Sequence, residues 1–155
     1  MKEGKLKLVE PSDEIKESYL EKANNCLKSA KILFPNNLYE NVVIDTYYAM
    51  YNSLLALLFK TGIKSENHTG SILILNEIFG EQDLSNIILE AKEERIDQQY
   101  YIDSTKNKEL TKDFAEKSIS ITENFLIKIK IIIESLSNED IKKIRLNFNK
   151  ISNQD

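Results

Sequence analysis

The sequence predicts an all-α fold, an up-and-down bundle of four main helices plus a short helix, with a short C-terminal helix. Apolar residues recur at spacings of three and four along most of the chain, which is the helical period. Glycine and proline are few, at 4 and 2 of 155 residues, which suits long helices with short connections. No segment shows the alternation typical of a strand, so a helical bundle is favoured.

Length and composition favour one domain over residues 1–155, with residues 1–10 and 150–155 expected to be loose. A domain of this size buries about 68–70% of its unfolded surface, so its core needs no metal or disulfide support. The single Cys26 excludes an intramolecular disulfide. We find no signal peptide and no long uncharged apolar run, so we expect a cytoplasmic protein that does not enter a membrane.

Charge and motif content limit the classes of function. The formal net charge is −4, and lysines are interspersed with glutamates, which argues against a dedicated nucleic-acid binder, and we expect no DNA partner. The chain has no glycine-rich phosphate loop and no Ser-His-Asp arrangement. We therefore expect no cofactor, and no metal because the histidine is single.

The first helix is predicted from residue 13 to about 34. Ser12 is a natural N-cap, and acidic residues follow it at the positive end of the helix. Cys26 lies within the apolar stripe, which favours a small core side chain over a reactive thiol. Residues 35–37 form a turn, which predicts an antiparallel hairpin with the next helix.

The second helix, from 38 to about 61, is predicted to be central because apolar residues cover more than half of its circumference. Gly62 is a suitable residue to end it. A narrow seam of small or polar residues remains: Asn41, Asp45, Ala49, Asn52 and Ala56. The seam is either a line of close helix contact or a polar notch in which Asp45 and Asn52 face a ligand.

A short third helix is predicted from 68 to 79, closed by Gly80. His68 begins its inward-facing stripe. A structural or capping histidine is favoured over a catalytic one, because no second histidine or cysteine cluster accompanies it.

The fourth helix, about 83 to 102, carries Arg95 in the middle of its apolar stripe. An arginine on such a line must reach solvent or find a counter-charge, since an unpaired buried charge is very costly. Arg95 either lies at the rim of the bundle or enters the seam and pairs with Asp45. Tyr100 and Tyr101 follow and could wall the same cleft or cover the core.

The fifth helix is predicted from about 108 to 136. Ile127 and Ile131 lie opposite its main apolar stripe, which is a hint of a partner surface and most simply of a homodimer. The last helix begins after Ser137 and carries the chain's only local basic cluster. A solvated helix face explains that cluster better than RNA binding. The cluster comprises Lys142, Lys143 and Arg145.

Three segments, with Gly62 between the first and the second, together resemble the HEPN-domain family. Residues 45–54, DTYYAMYNSL, resemble the "AYYAMFHA" helix of that family. Residues 68–70, HTG, resemble its "HKG" at the start of a short helix, and residues 95–100, RIDQQY, resemble its "RxxADY" signature. The pieces occur in the family's order and, with their surrounding helices, span about residues 19–133.

The resemblance implies a helical bundle, commonly a homodimer, encoded in prokaryotes beside a small nucleotidyltransferase with which it forms a toxin–antitoxin pair. Many members of the wider family are metal-independent ribonucleases whose site is an arginine followed a few residues later by histidine. Here the corresponding positions hold Tyr100, Tyr101 and Ile102. Tyrosine, with a pKa of about 10, is a poor substitute for imidazole, with a pKa of about 6.5, in general acid–base catalysis.

Three functional hypotheses follow. The leading one is a non-catalytic or weakly active HEPN-type interaction protein that binds a nucleotidyltransferase-like partner and holds a nucleotide or RNA in a cleft. The residues expected at that cleft are Arg95, Tyr100, Asp45, Asn52, Tyr48 and Tyr101. The alternative is a metal-independent endoribonuclease toxin that uses Arg95 with His68 or Tyr100. The third treats Arg95, Tyr100 and Asp45 as a buried polar network that only fixes helix register.

Overall fold

A computed structural model of the chain describes residues 6–100 and 110–153, with the backbone alone at 98–100. Six helices lie within these residues, and the all-α class is confirmed. They are α1 (Asp13–Leu33), α2 (Tyr39–Thr61), α3 (His68–Glu77), α4 (Gln82–Tyr100), α5 (Lys112–Ser135) and α6 (Asn138–Ser152). A 3-10 turn, Phe34–Asn36, joins α1 to α2 as an antiparallel hairpin.

The central position of α2 is confirmed, since α1, α4 and α5 all pack against it. Tyr47, Leu54, Leu57 and Leu58 on this helix are fully buried. By length and composition α2 could cross a membrane, but 72% of its most apolar window is buried inside the bundle. Its apolar character is therefore that of a core helix.

Side-chain caps and glycines set the helix boundaries much as the sequence indicated. Ser12 Oγ accepts from the Ile15 amide at 3.1 Å and starts α1. Ser137 forms a capping box with Asp140 at the start of α6. Gly62 ends α2 in the left-handed region with φ 72°, and its amide bonds back to the last turn.

Two short strands were not predicted, and the expectation of a loose N-terminus was wrong at residues 6–8. β1 (Leu6–Leu8) pairs antiparallel with β2 (Ile63–Ser65), with Leu8 opposite Ile63. Three-residue strands are too short to show a period of two. Residues 150–152, also expected to be loose, belong to α6. Residues 1–5, 101–109 and 154–155 lie outside the described residues.

Arg145 of α6 links the segment that follows β1 to the carboxyl end of α2. Its Nη1 donates to the carbonyls of Val9 (2.7 Å), Thr61 (3.0 Å) and Gly62 (3.0 Å). A cation at the carboxyl end of a helix also favours the helix dipole. Arg145 is therefore half-buried and structural, whereas its neighbours Lys142 and Lys143 are exposed as expected.

Replacing Gly62 by alanine should destabilise the fold more than the matched change Gly80→Ala. Both glycines have φ near +71°, so both variants carry the left-handed penalty of about 1–2 kcal/mol. A Cβ at Gly62 would collide with Arg145 Nη1 and the Val9 carbonyl oxygen, whereas one at Gly80 meets nothing within 4 Å. We expect Gly62→Ala to lose a further ~1–3 kcal/mol of unfolding free energy in urea titrations, because Arg145 must leave its acceptors. Equal losses would contradict the role given to Arg145.

Candidate functional site

Arg95 of α4 lies against two consecutive tyrosines of α2. Its Nη1 donates to the Tyr48 hydroxyl at 2.9 Å. The guanidinium carbon lies 4.9 Å from the ring centroid of Tyr47 and 5.5 Å from that of Tyr48, within the range of cation–π attraction. Arg95 is half-buried, and its Nε is buried without a hydrogen-bond partner. The guanidinium is thus held by aromatic faces.

The structure does not bring Asp45 to Arg95. Asp45 faces α1, where it accepts a hydrogen bond from Ser29 Oγ at 2.5 Å. Among the described residues Arg95 forms no ion pair, so the interpretation in which it pairs with Asp45 is wrong. Positions two apart on a helix point about 200° apart, so an arginine held on the ring of Tyr47 lies on a different side of α2 from Asp45.

The seam on α2 is a line of close contact with α1. Asn52 Nδ2 donates to the Tyr48 carbonyl at 2.9 Å and lies 3.8 Å from Cys26 Sγ. Ala49 and Ala56 are completely buried. Asn52 and Asp45 therefore belong to the α1–α2 contact. The structure shows the seam as a line of close helix contact.

His68, the first residue of α3, meets the same tyrosine as Arg95. Its Nδ1 lies 2.6 Å from the Tyr47 hydroxyl. Its ring stacks on Tyr51 with a centroid separation of 3.9 Å, and the Tyr51 hydroxyl lies 3.3 Å from Ser71 Oγ. The N-cap Asn67 fixes the start of α3 by accepting from the Thr69 amide at 2.9 Å. Tyr47 thus contacts Arg95 through its ring and His68 through its hydroxyl.

The electrostatics of this cluster keep its tyrosine and histidine neutral near pH 7. Burial raises the pKa of Tyr47 far above its usual value, despite the opposing charge of Arg95. Burial also lowers the pKa of His68, and the positive charges of Arg95 and Lys92 lower it further. Either tautomer of His68 fits the bond to Tyr47, since each partner can supply the proton.

Lys92 lies one helical turn before Arg95 and extends toward α3. Its Nζ donates to Thr69 Oγ1 at 2.9 Å, beside His68. Among the described residues Lys92 forms no ion pair. We call these five side chains the cationic site: Tyr47, Tyr48, His68, Lys92 and Arg95. Two positive charges and two neutral groups that can exchange protons suit the site to an oxyanion.

Sequence reasoning found part of this site. The structure brings together three of the residues that the sequence suggested: Tyr48, His68 and Arg95. Tyr47 and Lys92 also belong to the site, but they were not predicted. The spacing of Lys92 three residues before Arg95 was a signal that could have identified it. The side chain of Tyr100 and all of Tyr101 lie outside what the structure describes. Within that part of the chain, no group of three His, Cys, Asp or Glu side chains could hold a metal ion.

Two surface grooves do not include the guanidinium in their lining. One, of about 970 Å³, runs between α1 and α5. The other, of about 400 Å³, is bounded by α2, α4 and α5 and includes Thr46, Ala91 and Glu94. Neither groove has Arg95 or His68 in its lining, so the cationic site is a separate feature of the surface.

Comparison with known proteins assigns the chain to a family. The HEPN domain model matches residues 16–132, and the chain belongs to the HEPN domain family. A protein of Methanocaldococcus jannaschii named "Putative toxin MJ0605" is 30% identical over 125 residues, 77% of this chain and 90% of its own length. A "UPF0332 protein" of Archaeoglobus fulgidus is 32% identical over 111 residues, 72% of this chain and 89% of its own.

Removing the charge of Arg95 should raise the pKa of His68. The protein contains one histidine, so its ring proton resonances titrate without overlap in an NMR experiment. In the wild type we expect a midpoint below the ordinary value of about 6.5. Arg95→Gln should move the midpoint upward, while Lys128→Gln, a change at an exposed lysine of α5, should not. An unshifted midpoint in Arg95→Gln would contradict the arrangement around Tyr47.

Proposed function

We propose that this HEPN-family chain is a toxin-like protein that binds a phosphate of RNA or of a nucleotide at the cationic site. The proposal rests on one observation above the others. Arg95 is half-buried and pairs with no described carboxylate, and its Nε has no hydrogen-bond partner. An incompletely satisfied cation of this kind is a costly arrangement that an anionic ligand would relieve.

The chemistry of the guanidinium favours phosphate as that ligand. Nη1 is occupied by the Tyr48 hydroxyl, and the Nε–Nη2 edge makes no hydrogen bond to a described residue. That edge presents two parallel N–H donors, which match two oxygens of a phosphate. Because Nε is covered in the unliganded chain, binding through both donors requires Arg95 to shift on its tyrosine platform.

The biological setting of the proposal comes from the family and the relatives. A relative is named as a toxin, and the sequence resembles HEPN proteins that act beside a small nucleotidyltransferase. We propose the same pairing here, in the cytoplasm, with a homodimer as the assembled form. The exposed side chains of Ile127 and Ile131 on α5, 57% and 60% accessible, support a partner surface there.

A second candidate function is metal-independent RNA cleavage by Arg95 with His68. The observation that favours it is the shared contact with Tyr47, which brings a histidine to the arginine through tertiary packing. In this cleavage the 2′-oxygen attacks phosphorus and the 5′-oxygen leaves. Neutral His68 accepts the proton of the 2′-hydroxyl, Arg95 stabilises the charge that develops on the phosphate, and the leaving 5′-oxygen takes a proton from the imidazolium or from water. Use of Tyr100 in place of His68 remains a prediction from the sequence.

Changing Arg95 to glutamine should weaken RNA binding. With a 2′-O-methyl oligouridylate, which cannot be cleaved through the 2′-hydroxyl, fluorescence anisotropy should show an affinity loss of about 10-fold or more. Loss of a charge-assisted contact worth about 1.5–3 kcal/mol accounts for that size. Lys128→Gln, at an exposed lysine remote from the cationic site, provides the matched charge control.

Unmodified RNA separates the two candidate functions in the same experiment. Binding without cleavage supports the interaction protein, whereas cleavage that both Arg95→Gln and His68→Asn abolish supports the ribonuclease. If Arg95→Gln lowers the melting temperature but binds RNA as the wild type does, Arg95 only fixes helix packing and both functional proposals are wrong.

A further inference from the structure

We propose that Lys92 and Thr69 form a second phosphate-binding position beside Arg95, so that the cationic site takes an RNA chain with consecutive phosphates rather than a mononucleotide. This inference rests on the proposed function, in which Arg95 receives the first phosphate. Three features of the described residues carry it: the placement of Lys92, the distribution of charge on α4, and the group to which Lys92 is bound.

The placement follows from helix geometry. Lys92 and Arg95 are three residues apart on α4, so their Cβ atoms are about 5–6 Å apart on one face. Arg95 reaches Tyr47 and Tyr48, while Lys92 reaches Thr69 on the neighbouring α3. His68 is influenced by both charges, since each lowers its pKa. The two cations therefore lie on one face of α4, and both are close enough to His68 to affect its charge.

Charge is segregated on α4. Helical spacing places its acidic residues within about 100° of arc, centred opposite the Lys92–Arg95 face. Those residues are Asp83, Glu90, Glu93, Glu94 and Asp97. No position three or four residues from either cation is acidic, so neither cation has a carboxylate one helical turn away on α4. In a chain of net charge −4, this face keeps two adjacent positive charges.

The partner of Lys92 leaves its charge available. The ammonium donates to a neutral hydroxyl, Thr69 Oγ1, which brings no compensating negative charge. Like charges on adjacent turns destabilise a helix, and a polyanion spanning both would offset that repulsion. With a phosphate at Lys92, the Thr69 hydroxyl could donate to one of its oxygens, as threonine does in many phosphate contacts. One phosphate at Arg95 would leave Lys92 unused.

The test compares ligands that differ in phosphate number. Uridine monophosphate and a 2′-O-methyl uridine hexanucleotide are titrated against wild type, Lys92→Gln, Lys92→Arg and the control Lys128→Gln over a range of salt. For the hexanucleotide, Lys92→Gln should reduce the slope of log affinity against log salt by about 0.7, the value of one single-strand phosphate contact. The preference for hexanucleotide over monophosphate should also fall. Lys92→Arg and Lys128→Gln should keep both quantities.

Other results of this titration distinguish a failure of the second phosphate position from a failure of the proposed function. If Lys92→Gln keeps the wild-type slope and preference while Arg95→Gln loses binding, the second position is wrong and the proposed function stands. If Lys92→Gln weakens both ligands equally, Lys92 belongs to a single phosphate position and the inference is overturned. If Arg95→Gln also binds normally, the proposed function itself fails. Far-UV circular dichroism of every variant shows whether the fold is retained.

Discussion

The contact between the Arg95 guanidinium and the rings of Tyr47 and Tyr48 is the interaction on which the candidate site depends. It joins α4 to the central helix α2 and holds a positive charge at a half-buried position. A carboxylate in place of the rings would neutralise that charge. An aromatic platform stabilises the cation but leaves its charge for a ligand, which is why the same contact serves both packing and recognition.

Tyr47 extends this interaction to α3. It is completely buried, its ring carries Arg95, and its hydroxyl is bonded to His68. Burial raises the pKa of the phenol, and burial together with the positive neighbours lowers the pKa of the imidazole, so both groups are neutral and hydrogen-bonded beside the cation. The arginine-histidine pattern to which the sequence was compared places histidine close to arginine along the chain, whereas here folding brings a histidine to the same tyrosine as the arginine.

The sequence was sufficient for the helices because their signals are local. Ser12 and Ser137 as N-caps, Gly62 as a terminator and the apolar surface of α2 all act within a few residues. The strands Leu6–Leu8 and Ile63–Ser65 were missed because they depend on pairing between distant segments and on Arg145 binding at the end of α2.

The candidate site was predicted less completely, for a related reason. Periodicity showed that Arg95 points inward, but it cannot say which side of α2 the side chain meets. Asp45 was therefore chosen as a partner, although it is bonded to Ser29 of α1. The meeting of His68 with Arg95 requires α3 and α4 to converge on Tyr47, and no spacing within either helix encodes that.

The most direct test of this account is a crystal structure with an uncleavable 2′-O-methyl oligonucleotide bound. The account predicts a phosphate oxygen within hydrogen-bonding distance of the Arg95 guanidinium, with His68 beside it and Tyr47 still beneath the guanidinium. An oligonucleotide bound in the groove between α1 and α5, with Arg95 contacting only its tyrosines, would contradict it.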